Sequence, residues 1–142
     1  MKTQVEGFTV TGFHVRTQNR DEFNETTAKL PSLWQQFYTS ELGTNTHIFG
    51  VYSNYDSDAN GPYTVTVGFK SNDVKTPLSS VAIQAGHYLV FQGTGPMPAT
   101  VVEAWKQVWA FFETNTEHQR NFISDFESYS SPDQVAIYIG LK

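Results

Sequence analysis

Val65-Thr66-Val67-Gly68-Phe69-Lys70 reads like Ile137-Tyr138-Ile139-Gly140-Leu141-Lys142, at an offset of 72 residues. Upstream, Leu33-Trp34-Gln35-Gln36-Phe37-Tyr38 is matched by Ala104-Trp105-Lys106-Gln107-Val108-Trp109 at 71. Tyr52-Ser53-Asn54-Tyr55 lies opposite Phe126-Glu127-Ser128-Tyr129 at 74, and Phe13-His14-Val15 opposite Gly86-His87-Tyr88 at 73. Four fragments in one order at nearly one spacing mark an internal duplication. Two copies are too few for a solenoid. The chain therefore reads as one pseudo-two-fold domain, 1–142, with halves of approximately 1–72 and 73–142.

Each half gives the order β-α-β-β. In the first, 5–18 carries strand-type residues until Asn, Arg and Asp break the run. Leu30, Leu33, Trp34, Phe37 and Tyr38 fall on one helical face, with Pro31 opening or kinking the helix. Strands follow at 47–55 and 63–70, around a turn rich in Asp, Asn, Gly and Pro. In the second, 80–92 reads as a strand, and Val101, Trp105, Val108, Trp109 and Phe112 as a helical stripe. Strands at 122–129 and 134–142 close it. Two one-faced helices belong on one side of an antiparallel sheet. The fold class is α+β, with a ligand cleft expected between the helices and the strands near the pseudo-dyad.

Composition narrows the partners. The 142 residues carry a formal net charge of −5, and their basic residues are scattered, which argues against direct nucleic-acid binding. Aromatics make up 15%, enough to suggest that some rings line a cavity or an interface. With no cysteine, disulfides, zinc-thiolate sites and thiol nucleophiles are excluded. No signal-like or membrane-length apolar stretch appears, so a cytoplasmic location without membrane contact is expected. Exposed edges of the sheet could support a homodimer.

The stretch Gly50-Val51-Tyr52-Ser53-Asn54-Tyr55-Asp56-Ser57-Asp58, followed by Gly61, Tyr63 and Gly68, resembles the first-half signature of the GyrI-like family. Leu33-Trp34 with Phe37, Gly86-His87-Tyr88 and Phe126-Glu127-Ser128-Tyr129 are similar to its other landmarks. This is the effector-binding domain of AraC-type and multidrug-responsive transcription regulators. The resemblance covers nearly the whole chain. It implies a doubled βαββ fold with an aromatic cavity around an acidic residue, binding lipophilic, often cationic, molecules for sensing or sequestration. It also implies a stand-alone member like those encoded in integron cassettes, with no DNA-reading segment before it. Some stand-alone relatives are hydrolases.

Glu127 is the leading candidate. Strand alternation puts it on one face with Tyr129, and its repeat counterpart at that offset is Ser53, so one charge breaks the symmetry. A carboxylate taken out of water is costly unless paired, and its pKa rises; a cationic ligand could supply the missing charge. The plain alternative is a solvated Glu on an exposed strand. Trp109, Tyr38, Tyr52 and Phe126 are expected as ring contacts, backed by Tyr88, Tyr138, Trp105 and Trp34, although stripes at helical spacing also build cores. His14 and His87 read as equivalent positions of the repeat rather than metal ligands, and no metal or cofactor is expected. No catalytic residue is assigned. Two rival functions stay open: a hydrolase with Glu127 as general base for water polarised by a neighbouring tyrosine such as Tyr88, and a gyrase-inhibitor-like protein-interaction module.

Overall fold

The computed structural model describes residues 2–40, 47–58, 60–71, 78–115 and 117–142. The chain runs β1 (Lys2–Val5), β2 (Phe8–Thr17), α1 (Asn19–Glu22), α2 (Leu30–Thr39), β3 (Ile48–Ser53), β4 (Tyr63–Lys70), β5 (Ser79–Ile83), β6 (Gly86–Thr94), α3 (Ala99–Thr114), β7 (Ser124–Ser131) and β8 (Gln134–Gly140). The eight strands form one antiparallel sheet in the order β1-β6-β8-β7-β3-β4-β2-β5. Exchanging each strand of one half with its counterpart in the other reads this order backwards onto itself. The βαββ unit is thus duplicated, with the pseudo-dyad between β3 and β7. The boundary expected near 72/73 lies outside the described residues.

The strand expected at 5–18 is β2, with the short β1 ahead of it, whereas the one expected at 80–92 is two strands, β5 and β6. β1 pairs with β6, and β5 pairs with β2, so each short strand joins the other half and the chain must turn between. β1 lies at one edge, yet runs within two residues into β2 near the opposite edge, so the sheet curls. The curl is tight where Gly12 and Gly68 face each other. A Cβ on either would fall about 2 Å from a backbone carbonyl oxygen of the other strand, so a side chain there forces the strands apart.

The curled sheet separates two cores. On the helix-free side, Val10, Phe49, Val51, Ile83, Tyr88 and Phe126 pack together. On the other side, α2 lays Leu33 and Phe37 over Ile48, Val65 and Val67, while α3 lays Ala104 and Val108 over Ile137 and Ile139. Both helical pairs are spaced i, i+4, so each helix buries one stripe and turns its flanking rings sideways. Pro31 lies in the first turn of α2 and opens the helix. Glu22 accepts hydrogen bonds from the backbone N–H of Lys29 at 3.0 Å and Leu30 at 3.1 Å, giving that helix start a negative partner.

Pairing also corrects the repeat alignment. Tyr52 pairs with Val65 as Glu127 pairs with Ile137, and Val65 and Ile137 stand at the 72-residue offset. Tyr52, not Ser53, is therefore the counterpart of Glu127. Ser53 lies on the opposite face, because a slip of one residue inverts a strand. In the same way Tyr88, paired with Gly140, corresponds to Gly12, paired with Gly68. His14 and His87 are consequently not equivalent and face opposite sides of the sheet.

Candidate ligand-binding cavity

A cavity of about 1160 Å³ opens between α2 and α3, above β3 and β7. Trp34 and Tyr38 enter it from α2, Trp105 and Trp109 from α3, and Tyr52 and Glu127 from the sheet. The rings support one another. Trp34 stacks on Tyr38 with centroids 5.8 Å apart and meets Tyr129 edge-on at 5.3 Å. Tyr52 meets Trp105 at 5.1 Å. Phe23, 71% exposed, meets Trp109 edge-on at 5.9 Å and ties the segment after α1 to α3.

Six of the nine residues expected from sequence thus come together. Phe126, Tyr88 and Tyr138 do not, because they sit on the far side of the sheet. Phe126 stacks on Tyr138 at 4.5 Å, and Tyr88 packs against both. Their position follows from alternation: if Glu127 faces the helices, Phe126 cannot. The Tyr88 hydroxyl is spent on the Gln84 carbonyl at 2.5 Å and on Ser124. Tyr88 is therefore not the tyrosine beside Glu127; Tyr52 and Tyr129 hold that place.

Glu127 is 4% exposed and receives three hydrogen bonds. Trp105 Nε1 donates to Oε2 at 2.6 Å, Tyr52 Oη to Oε2 at 2.9 Å, and Tyr129 Oη to Oε1 at 2.8 Å. All three donors are neutral, and no basic side chain among the described residues forms an ion pair with it. Burial raises the Glu127 pKa above the ordinary carboxylate value, and the three donors pull it partly back. Burial and the adjacent carboxylate hold Tyr52 and Tyr129 well above the usual phenol range, so both remain neutral donors. Gly50, directly opposite on β3, makes room: a Cβ there would lie 2.9 Å from Glu127 Oε1 and 3.4 Å from the Trp34 ring.

A second polar group stands two residues along β7. Asp125, fully buried, pairs with Arg120 at 2.7 Å and accepts from Tyr55 Oη at 2.6 Å and from the Gly140 N–H at 2.8 Å. Arg120 also lies over the Phe122 ring at 4.5 Å and reaches the cavity wall. Tyr129, Tyr55, Tyr63 and Arg120 were not assigned to the site from sequence, yet all border it. Alternation from Glu127 points to Tyr129 directly. Arg120 precedes its strand in an irregular segment, and no periodicity marks it.

A family model described as integron-associated effector-binding protein matches residues 3–141. The chain belongs to this family. It is 35% identical to the integron cassette protein VCH_CASS2 from the mobile metagenome of Vibrio cholerae, with a TM-score of 0.91 over 100% of this chain and 95% of that one. YobU of Bacillus subtilis (strain 168), named as a candidate transcriptional regulator, is 32% identical over 92% of this chain and 90% of its own. SAV2435, solved bound to tetraphenylphosphonium, shares the fold with a TM-score of 0.75 at 15% identity, over 100% of this chain and 93% of its own. The GyrI-like resemblance and the doubled α+β fold are thereby established, and the family is one of effector binders. Among the described residues no helix is long and apolar enough to cross a membrane.

Proposed function

We propose that the protein binds lipophilic aromatic cations in the cavity between α2 and α3, for sensing or sequestration, with Glu127 as the counter-charge. Glu127 carries this reading. It is a buried carboxylate at an aromatic wall, held by neutral donors and with no ion pair to a basic side chain among the described residues. An uncompensated charge in such a place weakens the folded state, and a cationic ligand removes that cost. At about 4 Å and an effective dielectric near 20, the charge pair contributes roughly 4 kcal/mol. Each ring placed against the cation adds about 0.5–2 kcal/mol. Together with apolar burial these reach the roughly −8 kcal/mol of a micromolar site. SAV2435, which shares the fold, was solved bound to tetraphenylphosphonium, and this supports the same class here.

The test is a titration of tetraphenylphosphonium into wild-type protein and Glu127→Gln, followed by quenching of Trp34, Trp105 and Trp109. The wild type should saturate at one ligand per chain. The variant should lose about 2–5 kcal/mol of binding, at least about thirtyfold, while keeping its circular dichroism spectrum. Equal affinity in the two proteins would overturn the assignment of Glu127.

A further inference from the structure

Glu127 offers charge to the cavity but almost no hydrogen-bonding capacity. An ionised carboxylate has about four acceptor positions. Oε2 receives two donors, Trp105 Nε1 at 2.6 Å and Tyr52 Oη at 2.9 Å, and Oε1 receives Tyr129 Oη at 2.8 Å. One acceptor position, on Oε1, is left, beside the space that Gly50 leaves by having no side chain. We infer that this nearly saturated arrangement selects cations without N–H groups, such as quaternary ammonium or phosphonium ions, over protonated amines of the same shape. The inference rests on the cation-binding reading above.

The physical reason is asymmetric desolvation. A primary ammonium carries three N–H donors, each solvated in water and each requiring an acceptor once buried. Three of the four Glu127 lone pairs that would serve are taken, so at most one of the three N–H groups finds a carboxylate acceptor. The oxygens of Tyr52 and Tyr129 remain, but a neutral phenol accepts more weakly than a carboxylate. A quaternary cation has no donor to satisfy. It draws on the charge of Glu127 through space and on the faces of Trp34, Trp105 and Tyr52, none of which requires a directed hydrogen bond. Tyr52, Trp105 and Tyr129 are thus specificity-determining as well as supporting residues.

Two matched probes test this at neutral pH, where both are fully cationic: (biphenyl-4-yl)methyl-trimethylammonium and (biphenyl-4-yl)methylammonium, titrated calorimetrically into wild type and Tyr129→Phe. The wild type should favour the quaternary ion by about tenfold or more. Tyr129→Phe releases one lone pair of Oε1, and the preference should narrow by about fivefold or more as the amine gains affinity. A wild type that binds the amine equally or better would overturn the inference and leave the cation-binding reading standing. A preference that does not change in Tyr129→Phe would also overturn it, since bulk hydration alone would then set the order. If neither probe binds, nor tetraphenylphosphonium, the cation-binding reading itself falls.

Discussion

Asp125 and Glu127 stand two residues apart on β7, face the same side of the sheet and are buried to nearly the same degree, 0% and 4% exposed. Their charges are met differently. Asp125 has a protein cation, Arg120 at 2.7 Å, plus a phenol and a backbone N–H. Among the described residues Glu127 has only neutral donors, and it opens onto a cavity walled by indoles and phenols. Burial alone therefore does not distinguish a carboxylate paired within the protein from the one proposed to meet a ligand. The distinction lies in whether the protein itself supplies the opposite charge.

The comparison can be broken from the Asp125 side. Arg120→Met strands a fully buried carboxylate and should lower unfolding free energy by about 3–5 kcal/mol in urea denaturation. Adding Asp125→Asn should recover most of that loss, because the orphaned charge is removed. Glu127→Gln should behave oppositely and leave stability within about 1 kcal/mol of wild type, since no protein ion pair is lost. Similar destabilisation by Arg120→Met and Glu127→Gln would erase the distinction between the two sites.

A smaller effect is expected at Gly50. Gly50→Ala places a methyl group against Glu127 Oε1, the oxygen that accepts from Tyr129, and the carboxylate must shift from that place. Crowding of this kind costs about 1–3 kcal/mol. It should appear as weaker tetraphenylphosphonium binding by about tenfold, with a smaller change in stability. Unchanged affinity would mean that the position of Glu127 in the free protein does not matter for the ligand.

How much of this could be read from sequence depends on the distance over which each signal acts. The duplication, the two helical faces and the pairing of Glu127 with Tyr129 on one face follow from local periodicity, and the structure has them all. The exchange of β1 and β5 between halves is a choice of partner across the sheet, which period-2 patterning does not encode. Run 80–92 therefore reads as a single strand, and β1 is not separated from the strand expected at 5–18. The misplacement of Phe126 has a different origin: the alternation that puts Glu127 in the cavity already sends its neighbour to the far core. Matching Tyr52 to Phe126 at offset 74, rather than to Glu127, repeated the same one-residue slip. Arg120 lies in neither helix nor strand pattern, so only the folded arrangement shows that it answers Asp125.

The central claim is that the ligand requires Glu127 as a carboxylate, and the pH dependence of affinity tests it most directly. Burial raises the Glu127 pKa in the free protein, and a bound cation lowers it by favouring the charged form. Acidification therefore protonates the free site and competes with the ligand. Tetraphenylphosphonium affinity should be constant above the raised Glu127 pKa and fall about tenfold per pH unit below it, while the protein remains folded. Glu127→Gln should bind weakly with no such slope. Parallel profiles in the two proteins, or an affinity in the wild type that does not change on acidification, would contradict the account.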